Sequence, residues 1–203
     1  MVKKTRTFPD RQTYEIPGGF DSTIGIVSFG AIGKKVCKYL SCMCESDILV
    51  CDLLLTSEDA SRFGLHKSSL EEVFQQSDVI SLHTPMPDTT IGMIDKRILN
   101  LMKTNSVLIN TARGAIINEN DLINFLRHRQ DVYAILDVTE PEPPTADSVL
   151  YDMENVLLSP YIAGFMGREC KRLGRYMVEE LQRYVLGMEL HWQVNREHLA
   201  FST

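Results

Sequence analysis

Along the chain, short runs of apolar residues alternate with stretches in which apolar positions recur every three or four residues. "TIGIVSF" (23–29), "DILVC" (47–51), "DVISLH" (78–83), "NSVLINT" (105–111), "VYAILDV" (132–138) and "NVLLSP" (155–160) are compact and rich in β-branched residues, the pattern of buried strands. Helical patterns lie between them. The first runs from about Ala31 to Leu40, with Ile32, Val36 and Leu40 on one face and Lys34, Lys35 and Lys38 turned to water. "SLEEVFQQS", "KRILNLM" and "NENDLINFLRH" are similar. Strands that are apolar nearly throughout, each followed by a crossover helix, predict an α/β fold with a doubly wound parallel sheet covered on both faces.

The last periodic segment is a long helix from about Gly167 to Leu186, with Leu173, Met177, Leu181 and Val185 at four-residue intervals and Gly187 placed to cap it. Residues 188 to 203 form a polar tail. Residues 1–22 carry Pro9, Pro17, Gly18 and Gly19 without periodicity and read as a lead-in. The expected organisation is therefore a lead-in over 1–22, an α/β domain over 23–166, and a C-terminal helix and tail over 167–203.

Composition narrows the classes further. With 203 residues, 44% of them hydrophobic, the chain can bury the core of one domain or slightly more. A formal charge of −6 and a pI near 5.4 give no electrostatic basis for a nucleic-acid partner or an anionic membrane. No apolar run approaches the roughly 18 residues that cross a bilayer, and "MVKKTRTFPD" has no apolar stretch behind its charges. No membrane partner is expected, and the expected location is cytoplasmic. Cys37, Cys42, Cys44, Cys51 and Cys170 are odd in number with no repeated CxxC pair, so reduced thiols are the expectation. "CMC" at 42–44 lacks a second pair at zinc spacing, and no metal site is expected.

Candidate chemistry begins at "IGIVSFGAIGKK" (24–35), where Gly30 and Gly33 are spaced as the last two glycines of GxGxxG and Ser28 stands at the first. After a first strand and at the start of a first helix, Gly30 would let a pyrophosphate approach the backbone, Gly33 would let helix and strand pack closely, and the helix N-terminus would supply N–H groups. Serine is tolerated at position 28 with modest strain if its φ is negative. Nineteen residues after Gly33, Asp52 closes the second strand, where a carboxylate would accept hydrogen bonds from the adenosine ribose and repel a 2'-phosphate. This favours NAD over NADP.

Four further motifs, "SLEEVFQQSDVISLHTPMPDTTIGMID", "LMKTNSVLINTARGAIINENDLI", "AILDVTEPEP" and "NVLLSPYIAGF", follow in order. Together they resemble the NAD-binding domain of the D-isomer-specific 2-hydroxyacid dehydrogenases over roughly residues 20 to 200, and the tail "VNREHLAF" is similar to the family's carboxyl end. The resemblance implies a Rossmann-type fold, NAD as cofactor, a small 2-hydroxy or 2-oxo acid as substrate, and a homodimer. It also implies that the N-terminal part of a substrate domain is missing, with 167–203 a remnant returning toward it.

The implied cofactor surface comprises Ser28, Gly30, Ala31, Ile32, Gly33, Asp52, His83, Thr84, Pro85, Thr111, Ala112, Asp137, Tyr161 and Gly164. Arg113, in "NTARG", corresponds to the arginine that pairs with the substrate carboxylate and polarises its carbonyl. Asp137 corresponds to an aspartate near the nicotinamide carboxamide, and Glu142 to the glutamate that holds and tunes a catalytic histidine. At that histidine's position, in "SPYIAG", this chain has Tyr161. An unperturbed imidazole titrates near 6.5 and a phenol near 10, so the change weakens or removes acid/base catalysis unless Tyr161 donates the proton. His83 is the one other histidine near the expected cleft, and a hydrogen-bonded loop histidine is the plainer reading of it. His66, His128, His191 and His198 fall in helix or tail contexts. The expected function is therefore an NAD-binding oxidoreductase, weakened or inactivated at position 161; the alternatives are a non-catalytic NAD-binding regulatory module and a truncated fragment.

Overall fold

In the computed structural model, which describes residues 19–194, seven parallel strands form one sheet in the order β3-β2-β1-β4-β5-β6-β7. The strands are β1 (Phe20–Val27), β2 (Glu45–Cys51), β3 (His66–Lys67), β4 (Val79–Leu82), β5 (Val107–Asn110), β6 (Tyr133–Leu136) and β7 (Val156–Leu158). The helices are α1 (Ala31–Met43), α2 (Ser57–Arg62), α3 (Leu70–Gln76), α4 (Lys96–Leu99), α5 (Glu119–His128) and α6 (Arg168–Val185). The expected α/β class and parallel sheet are what the chain adopts. The lead-in up to residue 18, the tail from 195 onward and His198 lie outside the described residues.

Right-handed crossovers dictate which helices share a face. From β1 the chain steps outward to β2 and β3, then crosses back to β4 and continues to β7, so the direction of travel reverses once. Helices of the first leg must lie on one face and those of the second leg on the other. The core divides accordingly. Ile24, Ile26, Ile48 and Val50 pack with Cys37 of α1 and Ala60 of α2. On the opposite face Val27, Leu49, Ile80, Leu82, Leu108 and Leu136 pack with Val73 and Phe74 of α3, Ile98 and Leu99 of α4, and Leu122, Phe125 and Leu126 of α5. In β1 and β2 alternate residues face opposite clusters, as the pleat requires.

Several details differ from the sequence expectation. β1 starts at Phe20, earlier than the apolar run, with an irregularity in its pairing between Phe20 and Thr23. α1 extends to Met43 and buries Gly33 and Cys37, whereas Ile32 is exposed. The buried stripe of α1 is thus centred on a glycine and a cysteine, because the helix lies too close to the sheet for a branched side chain at 33. His66 sits in the two-residue edge strand β3 and not in a helix. Cover of both faces is complete over β1 and β2 only: opposite α3–α5, Val107, Ile109 and Ile135 are half-buried, and Leu157 is exposed.

α6 ends as expected, with Gly187 at φ +65 and its N–H bonded to Tyr184 O at 3.2 Å. None of its residues is buried, and its apolar side chains, Leu173, Met177, Leu181 and Val185 among them, are exposed. Among the described residues no helix is long and apolar enough to cross a membrane. Burial pushes the thiols of Cys37 and Cys51 up to about 11.

One buried polar side chain ties α5 to the sheet. Asn155, just before β7, is 3% exposed, and its Nδ2 donates to Leu126 O, Arg129 O and Val132 O at 3.0, 3.1 and 2.9 Å. Those carbonyls end α5 and start the approach to β6. Asn155→Leu leaves them without that donor in the interior and is expected to cost about 3 kcal/mol, read as a lower urea midpoint at unchanged slope; a loss below about 0.5 kcal/mol, the range of ordinary surface substitutions, would remove Asn155 from this role.

Candidate functional site

The reversal between β1 and β4 opens a crevice at the carboxyl ends of the strands, the place where open α/β sheets bind ligands. Each strand bordering it hands its next residues to that edge. After β1 come Ser28, Phe29 and Gly30, and then α1 begins. Gly30 is the N-cap, with no side-chain cap and no acidic residue in the first turn. The amides of Ala31, Ile32 and Gly33 precede the first possible intrahelical bond, so they point outward without a helical acceptor. Around Gly30 a Cβ would meet nothing within 4 Å, whereas at Gly33 it would lie 2.2 Å from Ser28 O. Open space at 30 and backbone contact at 33 are what an anion seated on a helix N-terminus needs. Ala31 and Ile32 are exposed beside it.

Ser28 departs from the expectation attached to it. Its φ is +79, the left-handed region, and not negative. Glycine enters that region freely, but a serine Cβ crowds its own backbone there, at a cost of about 1–2 kcal/mol. Asp52 also differs. β2 ends at Cys51, and Asp52 lies just past it with its carboxylate already engaged: Oδ2 accepts from Phe29 N at 2.7 Å, and Oδ1 from Leu54 N and Leu55 N at 2.8 and 2.9 Å.

On the other side of the crevice, β4 delivers His83, Thr84 and Pro85. His83 N donates to Val27 O at 2.9 Å and Thr84 Oγ1 to the same carbonyl at 3.4 Å, joining this loop to the end of β1. The His83 ring is bonded through Nε2 to Ser81 Oγ at 3.0 Å, and burial holds its imidazole below the ordinary 6.5. Pro85 is half-buried, and its carbonyl accepts from Thr90 Oγ1.

β5 leads into Thr111, Ala112 and Arg113. Arg113 is exposed and donates from Nη1 to Ala112 O at 2.6 Å. Its loop is shaped by Asn110, which is 1% exposed: Oδ1 accepts from Ala112 N and Nδ2 donates to Arg113 O. Sequence reasoning passed over Asn110; the available signal was a lone amide at the end of an apolar strand.

Asp137 after β6 is buried, and its carboxylate closes the next loop onto the sheet. Oδ1 accepts from Ser159 Oγ and Ile162 N, and Oδ2 from Ala163 N. Burial alone would push this carboxyl up, but the Ser159 hydroxyl and the Ala163 and Ile162 amides outweigh it and hold it below the usual carboxylate range. Tyr161, within that loop, has φ +55, and its N–H donates to Asp137 O and Ser159 O. Its side chain is 46% exposed, and Gly164 follows in open space. Ser159 was likewise missed.

Glu142 is exposed, and among the described residues no hydrogen bond joins it to Tyr161. Its loop is fastened elsewhere, by Glu119 Oε2 accepting from Glu140 N at 3.1 Å. The structure thus gathers Ser28 to Gly33, Asp52, His83 to Pro85, Thr111 to Arg113, Asp137, Tyr161 and Gly164 along one sheet edge, and Glu142 makes no hydrogen bond there with the tyrosine.

The model of the NAD binding domain of D-isomer specific 2-hydroxyacid dehydrogenases matches residues 2–163. A curated relative, (S)-sulfolactate dehydrogenase of Chromohalobacter salexigens, is 35% identical over 163 residues, 80% of this chain and 52% of that protein. Glycerate dehydrogenase of Methylorubrum extorquens is 32% identical over 180 residues, 88% of this chain and 54% of that one. Among solved structures, D-lactate dehydrogenase with NAD+ from Lactobacillus jensenii superposes with a TM-score of 0.81 at 25% identity, covering 96% of this chain and 62% of that one. The apo form of D-mandelate dehydrogenase from Rhodotorula graminis gives 0.78 at 27%, covering 88% and 52%. The chain spans about half the length, or less, of the curated relatives it matches.

His83 makes the fold sensitive to acid. Its folded-state value lies below the unfolded one, so the unfolded chain takes up a proton near pH 6.5 that the folded chain resists. The stabilisation is fully present above that pH and is lost progressively as pH falls from there through the lower folded-state value. Urea midpoints measured at pH 7.5 and pH 5.5 are expected to fall more in the native chain than in His83→Gln; equal falls would show that His83 carries none of the dependence.

Proposed function

Since the chain belongs to the D-isomer specific 2-hydroxyacid dehydrogenase family through its NAD binding domain, we propose that it binds NAD(H) along the carboxyl edge of the sheet and serves hydride transfer to or from a 2-hydroxy or 2-oxo acid. The observation that carries this reading is the uncapped start of α1, with open space at Gly30, located at the reversal of strand order. The amides of Ala31, Ile32 and Gly33 suit a diphosphate there, and the negative charge of Asp52 disfavours a 2'-phosphate on the ribose. Thr84, Pro85, Thr111, Ala112, Asp137 and Gly164 border the path toward the nicotinamide end.

When bound, the cofactor supplies or accepts the hydride. The chain's own residues hold the acid and handle charge. Arg113 presents a permanently charged planar fork to a carboxylate and draws electron density from the neighbouring carbonyl. Tyr161 offers its phenolic O–H to the oxygen on which negative charge develops. The lack, among the described residues, of a hydrogen bond between Glu142 and Tyr161 favours a second reading, in which the chain binds NAD(H) and turns over nothing, as a regulatory module.

In the same reading, residues 23–166 are the nucleotide-binding unit and 167–203 lead toward a substrate domain, two copies form a homodimer, and the chain works in the cytoplasm. A dimeric mass by light scattering at micromolar concentration is expected; a monomeric mass would count against the dimer.

Fluorescence titration of the purified chain should give micromolar binding of NADH and weaker binding of NADPH, and no binding up to millimolar cofactor would overturn the proposal. With pyruvate, hydroxypyruvate or glyoxylate as acceptor, Tyr161→Phe is expected to lower NADH oxidation about 10²-fold at unchanged NADH affinity. Binding without any oxidation by the native chain would select the second reading.

A further inference from the structure

The turn between β1 and α1 contains a conflict that its neighbours resolve. Ser28 occupies the left-handed region at φ +79, and its carbonyl oxygen lies so close to Gly33 that a Cβ there would sit 2.2 Å away. The turn therefore has no slack in which to relax the serine. Three contacts hold it in place. Ser28 N donates to Cys51 O at 2.8 Å, Phe29 N to Asp52 Oδ2 at 2.7 Å, and Ser28 Oγ lies 3.5 Å from the same Oδ2. The other oxygen of Asp52 is anchored by the amides of Leu54 and Leu55 at 2.8 and 2.9 Å, so the carboxylate cannot turn away. A carboxylate bonded to backbone N–H groups forms the stronger, charge-assisted class of hydrogen bond. Phe29 is itself buried beneath Phe63 in an edge-to-face contact, with Lys34 Nζ 5.6 Å from its ring centre.

We propose that Asp52 is a positioning residue for the dinucleotide turn: its carboxylate holds Ser28 and Phe29 in a conformation that a glycine at 28 would adopt unaided. Beside repelling a 2'-phosphate, the carboxylate at 52 then acts on a bound nucleotide through the shape of the turn. Of the roughly four acceptor directions a carboxylate has, three are taken by the amides of Phe29, Leu54 and Leu55, and Ser28 Oγ faces the fourth at 3.5 Å, so a ribose hydroxyl would have to displace the serine hydroxyl. The effect on affinity rests on the nucleotide-binding reading given above. The effect on stability does not.

A cycle of four chains, native, Ser28→Gly, Asp52→Asn and the double variant, tests this. An asparagine can keep its oxygen toward Leu54 and Leu55 but then turns an NH2 group at the Phe29 N–H, so it breaks the brace and little else. In the serine background Asp52→Asn is expected to weaken NADH binding about ten-fold, and in the glycine background about three-fold or less. The drop in thermal midpoint should likewise be smaller by about 3 °C with glycine at 28. A residue acting only as a ribose ligand would lose the same factor in both backgrounds, with additive midpoints, and that outcome overturns the proposal. If none of the four chains binds NADH, the nucleotide reading fails while the midpoints still decide the brace. If Asp52→Asn folds only with glycine at 28, the coupling stands in its extreme form; if glycine does not rescue it, the proposal is overturned.

Discussion

Everything placed at the candidate site depends on the handedness of the crossovers. Because each parallel step must turn to the right, a chain that reverses direction once between β1 and β4 puts α1 and α2 on one face and α3 to α5 on the other. Two helix layers diverging from adjacent strands leave a crevice above those strands, and no side chain in it had to be selected to create it. The glycines at 30 and 33 exploit the crevice. Gly33 lets α1 descend onto the sheet until the Ser28 carbonyl occupies the space of a Cβ, and this descent directs the first amides of α1 at the crevice mouth.

A parallel sheet ends in loops whose backbone groups have left the ladder, and those groups must be satisfied if the loops are to hold a shape. One solution recurs along this edge: a polar side chain at or just past the end of a strand turns back and bonds the backbone N–H or C=O groups of a loop. Asn110 does so for Ala112 and Arg113, Asp137 for Ile162 and Ala163, and Asp52 for Phe29, Leu54 and Leu55. These residues stabilise loop conformations, and the same bonds fix where Arg113, Tyr161 and the α1 turn stand. Asp137 shows the balance of forces: burial opposes its charge, and the donors gathered around it more than offset that cost.

The architecture was legible because it is written in periodicity. All six apolar runs became strands of the sheet, and the capping residues Ser69 and Asn118 sit where the helical patterns begin. What escaped was short or conformational. α2 is six residues of largely polar sequence held by a Thr56 cap, and β3 is a two-residue edge strand, so neither carries enough apolar repeats to register. Ile32 looked like core because it shares a helical face with Val36, but only packing distance decides that Gly33 and Cys37 face the sheet. The φ of Ser28 depends on the Cys51 carbonyl and the Asp52 carboxylate, 23 or 24 residues away in sequence, and no local pattern reports it.

Position 161 separates the two activities that such a site combines. Holding a dinucleotide requires open backbone at Gly30, an uncapped helix start and loops of fixed shape, all supplied within residues 20–164. Moving a proton requires a side chain able to exchange it, and among the described residues no carboxylate is hydrogen-bonded to the Tyr161 phenol in the way that an imidazole–carboxylate pair is joined. Tyr161 is nonetheless fixed at φ +55 by the carbonyls of Asp137 and Ser159, so its backbone is as firmly placed as the rest of the edge. What differs at this position is therefore the kind of side chain and not how firmly its backbone is placed: a phenol stands where the resemblance implies an imidazole. Binding and catalysis can part company here, because different residues with different physical requirements serve each.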